Sequence, residues 1–240
     1  LDRETPRIRP QGRAAGTQSW CDLLFAHWRV PEATLRPLVP SPLTLDTFEG
    51  DAYVGLVPFV MERVRPAWMP TTMNFLETNL RTYVHFNGRP GVYFLSLEAS
   101  SWLAVQGARL GWGLPYHFAS MDRTPIRDGS REGWRYQSRR RGADAGLSVT
   151  WWQEEQLPQS DPASLEFFLL ERYLLFCDRG QRLYEGAVHH SPYPAYRATV
   201  TELEETLSCA AGLTRFEGLP PITHCSPGVH TEVFPLRRIV

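Results

Sequence analysis

The chain has 240 residues, a mass of 27.4 kDa, a formal net charge of −1, 42% hydrophobic residues and 21% charged residues. This length accommodates one large domain or two small ones, and the near-zero charge excludes a generally basic surface for nucleic acid. All 25 basic residues are arginines, and the lack of lysine excludes chemistry in which a lysine amine forms an imine with a carbonyl.

The N-terminal region begins with a polar segment. Residues 1–17 are rich in arginine, proline and glycine, which predicts an extended arm or a disordered tail. An apolar run from Trp20 to Val30 then indicates a β-strand, and Pro31 opens a short predicted helix that ends before Pro40. No linker, repeat or low-complexity stretch divides the rest, so we expect a single domain over residues 18–240.

Three strands are predicted next. Residues 51–63 are apolar on both faces, as in a central strand, and Pro58 indicates a bulge or an edge there. In residues 75–86, leucine, valine and threonine residues alternate with charged, amide and aromatic residues. This is the pattern of a strand with two different faces. An Asn-Gly turn then returns the chain into a strand over residues 91–99, so the pair is predicted to be a hairpin.

The remainder of the chain predicts short helices among further strands. Helices are predicted over residues 101–112, 162–170 (with Asp161 as cap) and 206–212, and strands over 116–122, 134–140, 147–154, 173–177, 182–189, 195–204 and 221–235. The predicted fold class is therefore α+β, mainly antiparallel β with a few short helices.

Metal, cofactor and membrane signals are weak. The four cysteines show no C-x-x-C spacing, and His189 and His190 are neighbours on a predicted strand, where adjacent side chains point apart. We therefore expect no metal site and no cofactor. No apolar run approaches the roughly 18 residues of a membrane span and no secretory start is visible, so a cytoplasmic location is expected.

Two opposite charges share one face of the strand at residues 75–86. Glu77 and Arg81 are four residues apart, and two buried charges are costly unless they are paired or used. One interpretation is a salt bridge at the rim of the sheet. The other is a site in which Arg81 binds a carboxylate of the substrate and Glu77 acts as acid or base.

Tyr116, His117 and Arg109 form a second candidate group. Tyr116 and His117 are neighbours on a predicted strand, so one side chain can line a cavity while the other packs outside. Arg109 lies near the end of the preceding helix, where it either complements the helix dipole or binds substrate.

Six segments between Ser19 and Val233 carry a family resemblance. They read WCDLLFAHWRVPEATLRPLVP, LTLDTFEGDAYVGLVPFVM, ETNLRTYVHFNGRPGVYFLSLEAS, LAVQGARLGWGLPYHFASM, SLEFFLLERYLLF and AVHHSPYPAYRATV. In this order they resemble the DUF2071 (YqjF-like) family, which is similar in fold to the acetoacetate decarboxylase superfamily. The resemblance implies a largely antiparallel sheet that closes into a cone-shaped barrel around an internal cavity.

The decarboxylase pattern can be transferred position by position. The second cavity glutamate of that pattern falls on Glu77, while its cavity arginine falls on Cys21 and its first glutamate on about Gly55. Its imine-forming lysine falls on Tyr116 and the neighbouring lysine on His117. The resemblance therefore implies a site that contains Glu77, Tyr116 and His117, but it excludes decarboxylation through an imine.

Three hypotheses on function follow. The first is a protein that binds a small molecule, a carbonyl acid or an aromatic compound, in an internal cavity. The second is a lysine-independent hydratase, isomerase or aldol-type lyase that uses Tyr116, His117 and Glu77, with Arg81 and Arg109 binding substrate. The third is a structural or interaction domain with a filled core. The expected partner is a small-molecule ligand, with no nucleic acid and no membrane, and the resemblance is compatible with a homo-oligomer.

Overall fold

The computed structural model describes residues 1–180 and 182–240. The strands are β1 (Gly16–Val30), β2 (Thr44–Leu45), β3 (Ala52–Pro66), β4 (Met73–Phe86), β5 (Arg89–Ala99), β6 (Tyr116–Asp128), β7 (Arg131–Arg140), β8 (Gly146–Gln156), β9 (Leu174–Asp178), β10 (Leu183–His189), β11 (Tyr196–Glu205), β12 (Ile222–Val233) and β13 (Arg237–Arg238). The helices are α1 (Glu32–Leu35), α2 (Trp102–Trp112), α3 (Leu165–Leu170) and α4 (Leu207–Ala210), with 3₁₀ turns at Thr5–Arg7 and Arg36–Leu38.

All thirteen strands belong to one sheet in the order β13-β10-β9-β5-β6-β7-β8-β11-β12-β1-β3-β4-β2. Two further pairings, β10 with β12 and β4 with β5, close the sheet into two circuits of strands that share β12, β1, β3, β4 and β5. Most pairs are antiparallel, and β5 pairs in parallel with β6 and with β9. The predicted fold class is confirmed, and the closed arrangement is consistent with a cone-like fold.

The central strands bury both of their faces. Buried apolar residues fall into two clusters, and neighbouring residues of one strand belong to different clusters. The Leu80 cluster includes Leu24, Ala26, Leu56, Leu80, Val84, Tyr136 and Trp151. The Tyr83 cluster includes Leu23, Phe25, Val57, Phe59, Tyr83, Leu97, Tyr116, Phe168, Leu169 and Tyr193. The two clusters therefore lie on opposite sides of the shared wall of strands.

A bulge in β1 lies beside Pro58. Between the pairs Cys21–Val60 and Ala26–Leu56, β1 contains four residues and β3 contains three, and Asp22 has a φ of 50°. Pro58 has no N–H to donate, and this irregular segment of β1 is where a missing donor disturbs the ladder least. The bulge expected from Pro58 is confirmed, although the extra residue lies in the partner strand.

The hairpin of β4 and β5 forms as predicted. Phe86 pairs with Arg89, and Asn87 and Gly88 between them have φ values of 48° and 78°. Two successive positive φ angles are typical of the tight turn that Asn-Gly favours. This hairpin fixes the register of the strand that carries Glu77.

The helices lie near the predicted positions, with differences in their bounds and continuity. Gly113, with a φ of 66°, ends α2, and the Ser101 hydroxyl accepts a hydrogen bond from the Ala104 N–H at its start. The cap predicted at Asp161 is wrong: α3 begins later, and Ser164 is the N-cap residue that accepts from the Phe167 N–H. The helix predicted from Pro31 is divided into α1 and a 3₁₀ turn.

β6 continues six residues beyond its predicted end. It runs to Asp128 and pairs with β7 along its whole length, although it contains Pro125. β5 pairs only with the first three residues of β6, so the other edge of β6 is free at Pro125 and the missing N–H removes no ladder bond.

Residues 1–15 lie against the folded domain. The Asp2 N–H donates to the carbonyl of Gly88, and Arg3 donates two hydrogen bonds to the buried carboxylate of Asp46, at 2.7 Å and 2.8 Å. The guanidinium of Arg7 lies over the ring of Phe167 in α3. The segment therefore contacts α3 and the loop before β3.

In the part of the chain that the structure describes, no helix is long and apolar enough to cross a membrane. Among the same residues, no group of three or more His, Cys, Asp and Glu side chains is arranged to hold a metal ion.

Candidate functional site

β4 places Glu77, Arg81 and Tyr83 on the face of the sheet that carries the Tyr83 cluster. Glu77 is 3% exposed, and the Tyr116 hydroxyl donates a hydrogen bond to its Oε2 at 2.8 Å. Tyr116 is itself buried. Two of the five predicted site residues therefore contact each other directly across 39 positions of sequence.

The position of Tyr116 depends on the parallel pairing of β5 and β6. Tyr116 is the first residue of β6 and lies opposite Leu97 of β5. Arg109, exposed in the last turn of α2, donates from Nε to the carbonyl oxygen of Tyr116 at 2.6 Å. Arg109 therefore holds the backbone at the start of β6, and its side chain does not face Glu77.

Burial changes the acid–base behaviour of Glu77. Removal from water raises the pKa of its carboxyl to about 8. The Tyr116 hydrogen bond opposes this rise, and the negative charge of Glu98 adds a smaller increase. Glu77 is consequently protonated at neutral pH. A carboxyl whose pKa is near neutrality is suited to proton transfer, because either protonation state is accessible.

Arg81 is buried without an acidic partner. Its side chain is 8% exposed, and its Nη2 donates to the backbone carbonyl of Leu169 at 3.1 Å. Among the described residues, no carboxylate lies within 4.0 Å of its guanidinium, and its buried Nε has no hydrogen-bond acceptor. The rings of Phe25 and Tyr83 lie 5.6 Å and 5.8 Å from its central carbon. Arg81 is therefore a buried cation with a free donor.

Asp46, the acidic residue near Tyr83, is already paired with two other arginines. Asp46, which is fully buried, accepts from Arg3 and from Arg172, whose Nη1 lies 2.7 Å away. The guanidinium of Arg172 lies 4.9 Å from the centre of the Tyr83 ring, on which Arg81 also packs. Because two arginines share this one acid, the region around Tyr83 carries an excess of positive charge.

Tyr83 and His27 complete the polar surroundings of Arg81. The Tyr83 hydroxyl donates to the carbonyl of Leu169 at 2.8 Å and lies 2.8 Å from Nε2 of His27. A Cβ atom at Gly55 would lie 3.0 Å from the His27 ring and 3.2 Å from the Tyr83 hydroxyl. Glycine at this position therefore leaves the space in which these two side chains meet.

His117 lies on the other face of the sheet. It is opposite Glu98 in the parallel ladder, and the carboxylate of Glu98 is bound by Arg140 and by Ser96. Burial and the positive charges of Arg140 and Arg109 lower the pKa of His117 to about 4. The structure therefore brings Tyr116 to Glu77 but does not bring His117 there.

Gly55 and Cys21, the two remaining positions of the decarboxylase pattern, have different surroundings. Gly55 lies beside Tyr83 on the Glu77 face. Cys21 pairs with Val60, and burial followed by the charge of Glu62 raises the pKa of its thiol to about 11. Cys21 is therefore a protonated thiol, without the positive charge of the arginine that it replaces.

Several residues of this site were absent from the sequence prediction. Tyr83 belongs to the alternating face of β4 and was recognisable by its spacing from Arg81. The contribution of Leu169 is a backbone carbonyl, and no side-chain pattern signals it. His27 was hidden by the bulge in β1, which changes the face to which each later residue points.

Two surface cavities lie elsewhere. They have volumes of about 450 Å³ and 390 Å³ and share Glu205 and Arg215 in their walls. None of the five predicted site residues lines either cavity. The free Nε of Arg81 thus lies in the protein interior and not in either of these surface cavities.

Comparison with known sequences shows the family. Residues 17–230 match the model of the DUF2071 family, which is described as an uncharacterized conserved protein. The uncharacterized protein YqjF of Bacillus subtilis (strain 168) is 35% identical over 233 residues, which cover 95% of this chain and 94% of YqjF.

Comparison with solved structures shows the same fold in enzymes of low identity. The enduracididine biosynthesis enzyme MppR complexed with pyruvate has a TM-score of 0.63 and 13% identity, over 96% of this chain and 93% of that one. Acetoacetate decarboxylase from Legionella pneumophila subsp. pneumophila str. Philadelphia 1 has a TM-score of 0.63 and 12% identity, over 99% of this chain and 94% of that one. At such identities the likeness shows the acetoacetate decarboxylase-like fold alone. From the family match and the relative at 35% identity, the chain belongs to the DUF2071 family.

Proposed function

We propose that the protein binds a small carboxylic acid, a carbonyl acid or an aromatic acid, on the Glu77 face of its closed sheet, with Arg81 as the residue that binds the carboxylate. The observation that carries this proposal is the buried guanidinium of Arg81, which has no acid partner in the described chain and has a free donor at Nε. A buried charge without a partner is costly, and a carboxylate ligand is the partner that best fits a guanidinium.

The surroundings of Arg81 favour an anion. Asp46 is already bound by Arg3 and Arg172, so it is not free to neutralise Arg81. Glu77, with a pKa of about 8, is mostly protonated at neutral pH and adds little negative charge there. The faces of Phe25 and Tyr83 beside the guanidinium offer apolar surface to the rest of a ligand.

The solved structures add support by analogy. MppR, which shares the fold, is described in complex with pyruvate, a small carbonyl acid. Fold likeness does not transfer a ligand, but it is consistent with a fold that admits a small acid.

Binding calorimetry with matched ligands and variants tests the proposal. The wild-type protein is titrated with pyruvate, phenylpyruvate and the neutral phenylacetamide, and at least one acid is expected to bind while the amide does not. Arg81→Met is expected to lower the affinity for the acid by about 10-fold or more, because a charge-assisted hydrogen bond is lost. Arg135→Met, at an exposed arginine of β7, is the control. Failure of every acid to bind, or unchanged affinity in Arg81→Met, contradicts the proposal.

A second candidate function is catalysis without lysine. It is favoured by the buried hydrogen bond between Tyr116 and Glu77, whose pKa of about 8 suits a residue that gives and takes a proton. Such a protein would exchange the hydrogens on C3 of a 2-oxo acid with solvent, as an isomerase or aldol-type lyase requires. Exchange into D2O followed by NMR, with Glu77→Gln as the variant, tests this candidate, and exchange no faster than without protein contradicts it.

A filled structural core is the remaining alternative. It accounts for the apolar members of the Tyr83 cluster but gives no role to the free Nε of Arg81. Calorimetry that shows no binding by any acid would favour this alternative.

A further inference from the structure

His190 is a buried histidine whose tautomer is fixed by the backbone carbonyl of the next residue, Ser191. It directly follows β10 and is 3% exposed, and its Nδ1 lies 2.7 Å from the carbonyl oxygen of Ser191. A carbonyl oxygen only accepts hydrogen bonds, so Nδ1 carries the proton and Nε2 presents a lone pair. Burial lowers the pKa of His190 to about 4, so the ring is neutral at physiological pH.

The lone pair of His190 has no partner. In the described part of the chain, no donor lies within hydrogen-bond distance of the buried Nε2. Native proteins leave few buried polar atoms unsatisfied, and a ligand or a water commonly supplies the missing bond. His190 is therefore, like Arg81, one of the buried side chains with a free polar atom.

Aromatic rings connect His190 to Arg81. Its ring stacks on Tyr173, with 4.6 Å between centroids, and packs against Tyr193 at 4.8 Å. Tyr193 in turn contacts Phe25 at 5.2 Å, and Phe25 lies 5.6 Å from the central carbon of Arg81. The free acceptor of His190 and the free donor of Arg81 thus border one aromatic cluster.

We infer that His190 is a specificity-determining residue of the site proposed above, and that its Nε2 accepts a hydrogen bond from a hydroxyl of a hydroxy acid whose carboxylate binds Arg81. The inference rests on the proposed function. It narrows the ligand class, because a lone pair on Nε2 attracts a hydroxyl donor and repels the oxygen of a carbonyl. A 2-oxo acid binds the same Arg81 but gains nothing at His190.

Matched acids test acid binding at Arg81 and hydroxyl recognition at His190 separately. The wild-type protein is titrated with phenyllactate, which carries a hydroxyl, with phenylpyruvate, which carries a carbonyl at the same carbon, and with 3-phenylpropionate, which has neither. Phenyllactate is expected to bind about 3- to 10-fold more tightly than the other two, the range that one neutral hydrogen bond supplies. His190→Phe is expected to remove this preference while the three acids keep their dependence on Arg81.

The outcomes are distinguishable. If the acids bind through Arg81 but phenyllactate has no advantage, or keeps its advantage in His190→Phe, the inference is wrong and the proposed function stands. If no acid binds, the proposed function fails, and the inference fails with it.

A measurement on the wild-type protein covers the case in which His190→Phe does not fold. In ¹⁵N NMR of histidine-labelled protein, the Nε2 resonance of a neutral Nδ1–H ring moves when that nitrogen accepts a hydrogen bond. Assignment against His189→Gln and His190→Phe, or by sequential transfer if a variant is unstable, identifies the signal. We expect phenyllactate to move it and phenylpyruvate to leave it in place, and equal responses to the two acids contradict the inference.

Discussion

The hydroxyl of Tyr116, at the start of β6, donates a hydrogen bond to the carboxyl of Glu77, in the middle of β4, with 2.8 Å between the oxygens. The strand between them, β5, is antiparallel to β4 and parallel to β6, so the contact spans three strands of the closed sheet. Both side chains are buried, and the pair therefore reports on the electrostatics of the interior.

Replacing Glu77 by glutamine is expected to change how stability depends on pH. The folded-state pKa of about 8 lies above the unfolded value of 4.5, so the contribution of Glu77 to stability is fully present below pH 4.5 and is lost as pH rises to 8. The wild-type protein should lose about 1.4 kcal/mol of unfolding free energy for each pH unit in this window, relative to E77Q. Urea unfolding at several pH values between 5 and 8 measures the difference. A difference that does not vary with pH contradicts the assignment.

Replacing Tyr116 by phenylalanine is expected to raise the pKa of Glu77 further. The Tyr116 hydrogen bond favours the ionised carboxyl, and its loss leaves burial and the charge of Glu98 to act alone. The ¹³C resonance of the Glu77 carboxyl, followed through a pH titration, measures the change. Tyr93→Phe, which removes a hydrogen bond to Asp178 on the outside of the sheet, is the control and should leave Glu77 unchanged. An unchanged pKa in Y116F would show that the two groups are not coupled, and a lowered pKa would show that the hydrogen bond does not favour the ionised carboxyl.

The Asp46 ion pairs are expected to stabilise the fold far more than an exposed pair. Asp46→Ala leaves the side chain of Arg172, which is 3% exposed, buried without an acid, and it should cost about 3–5 kcal/mol of unfolding free energy. Arg3→Ala should cost less, because Asp46 keeps Arg172. Asp51→Ala breaks an exposed pair with Arg29 and should cost at most about 1 kcal/mol. Denaturant unfolding of the three variants checks this order, and equal losses for D46A and D51A would contradict it.

Gly55→Ala is expected to destabilise the protein by about 1–3 kcal/mol, because the new Cβ would lie close to the His27 ring and the Tyr83 hydroxyl. Gly107→Ala is the matched control, since its Cβ would meet nothing within 4 Å and the residue lies within α2. Alanine favours a helix interior over glycine, so G107A should be neutral or stabilising by up to about 1 kcal/mol. Thermal unfolding of both variants measures the contrast. Destabilisation of both to the same extent would refute the contact at Gly55.

The sequence allowed the prediction of local features of the site. The period of two in β4 placed Glu77 and Arg81 on one face, and the structure agrees because this strand has no bulge between them in its pairing with β3. The Asn-Gly turn after Phe86 likewise determined where the hairpin reverses. Each of these features depends on a few neighbouring residues, which a single sequence contains.

Other features depend on distant parts of the chain. The contact of Tyr116 with Glu77 requires the parallel pairing of β5 and β6, and no residue pattern in either strand specifies that partner. His27 and Leu169 were missed because a bulge and a backbone carbonyl give no periodic signal. His190 looked like half of a histidine pair, and only its hydrogen bond to Ser191 shows which ring nitrogen is free.

A crystal structure of the protein soaked with a small aromatic acid tests the central claim most directly. We predict a carboxylate oxygen within about 3 Å of Nε of Arg81, with the rest of the ligand against Phe25 and Tyr83. Binding of the acid only in the surface cavities beside Glu205 and Arg215, with Arg81 untouched, would contradict it.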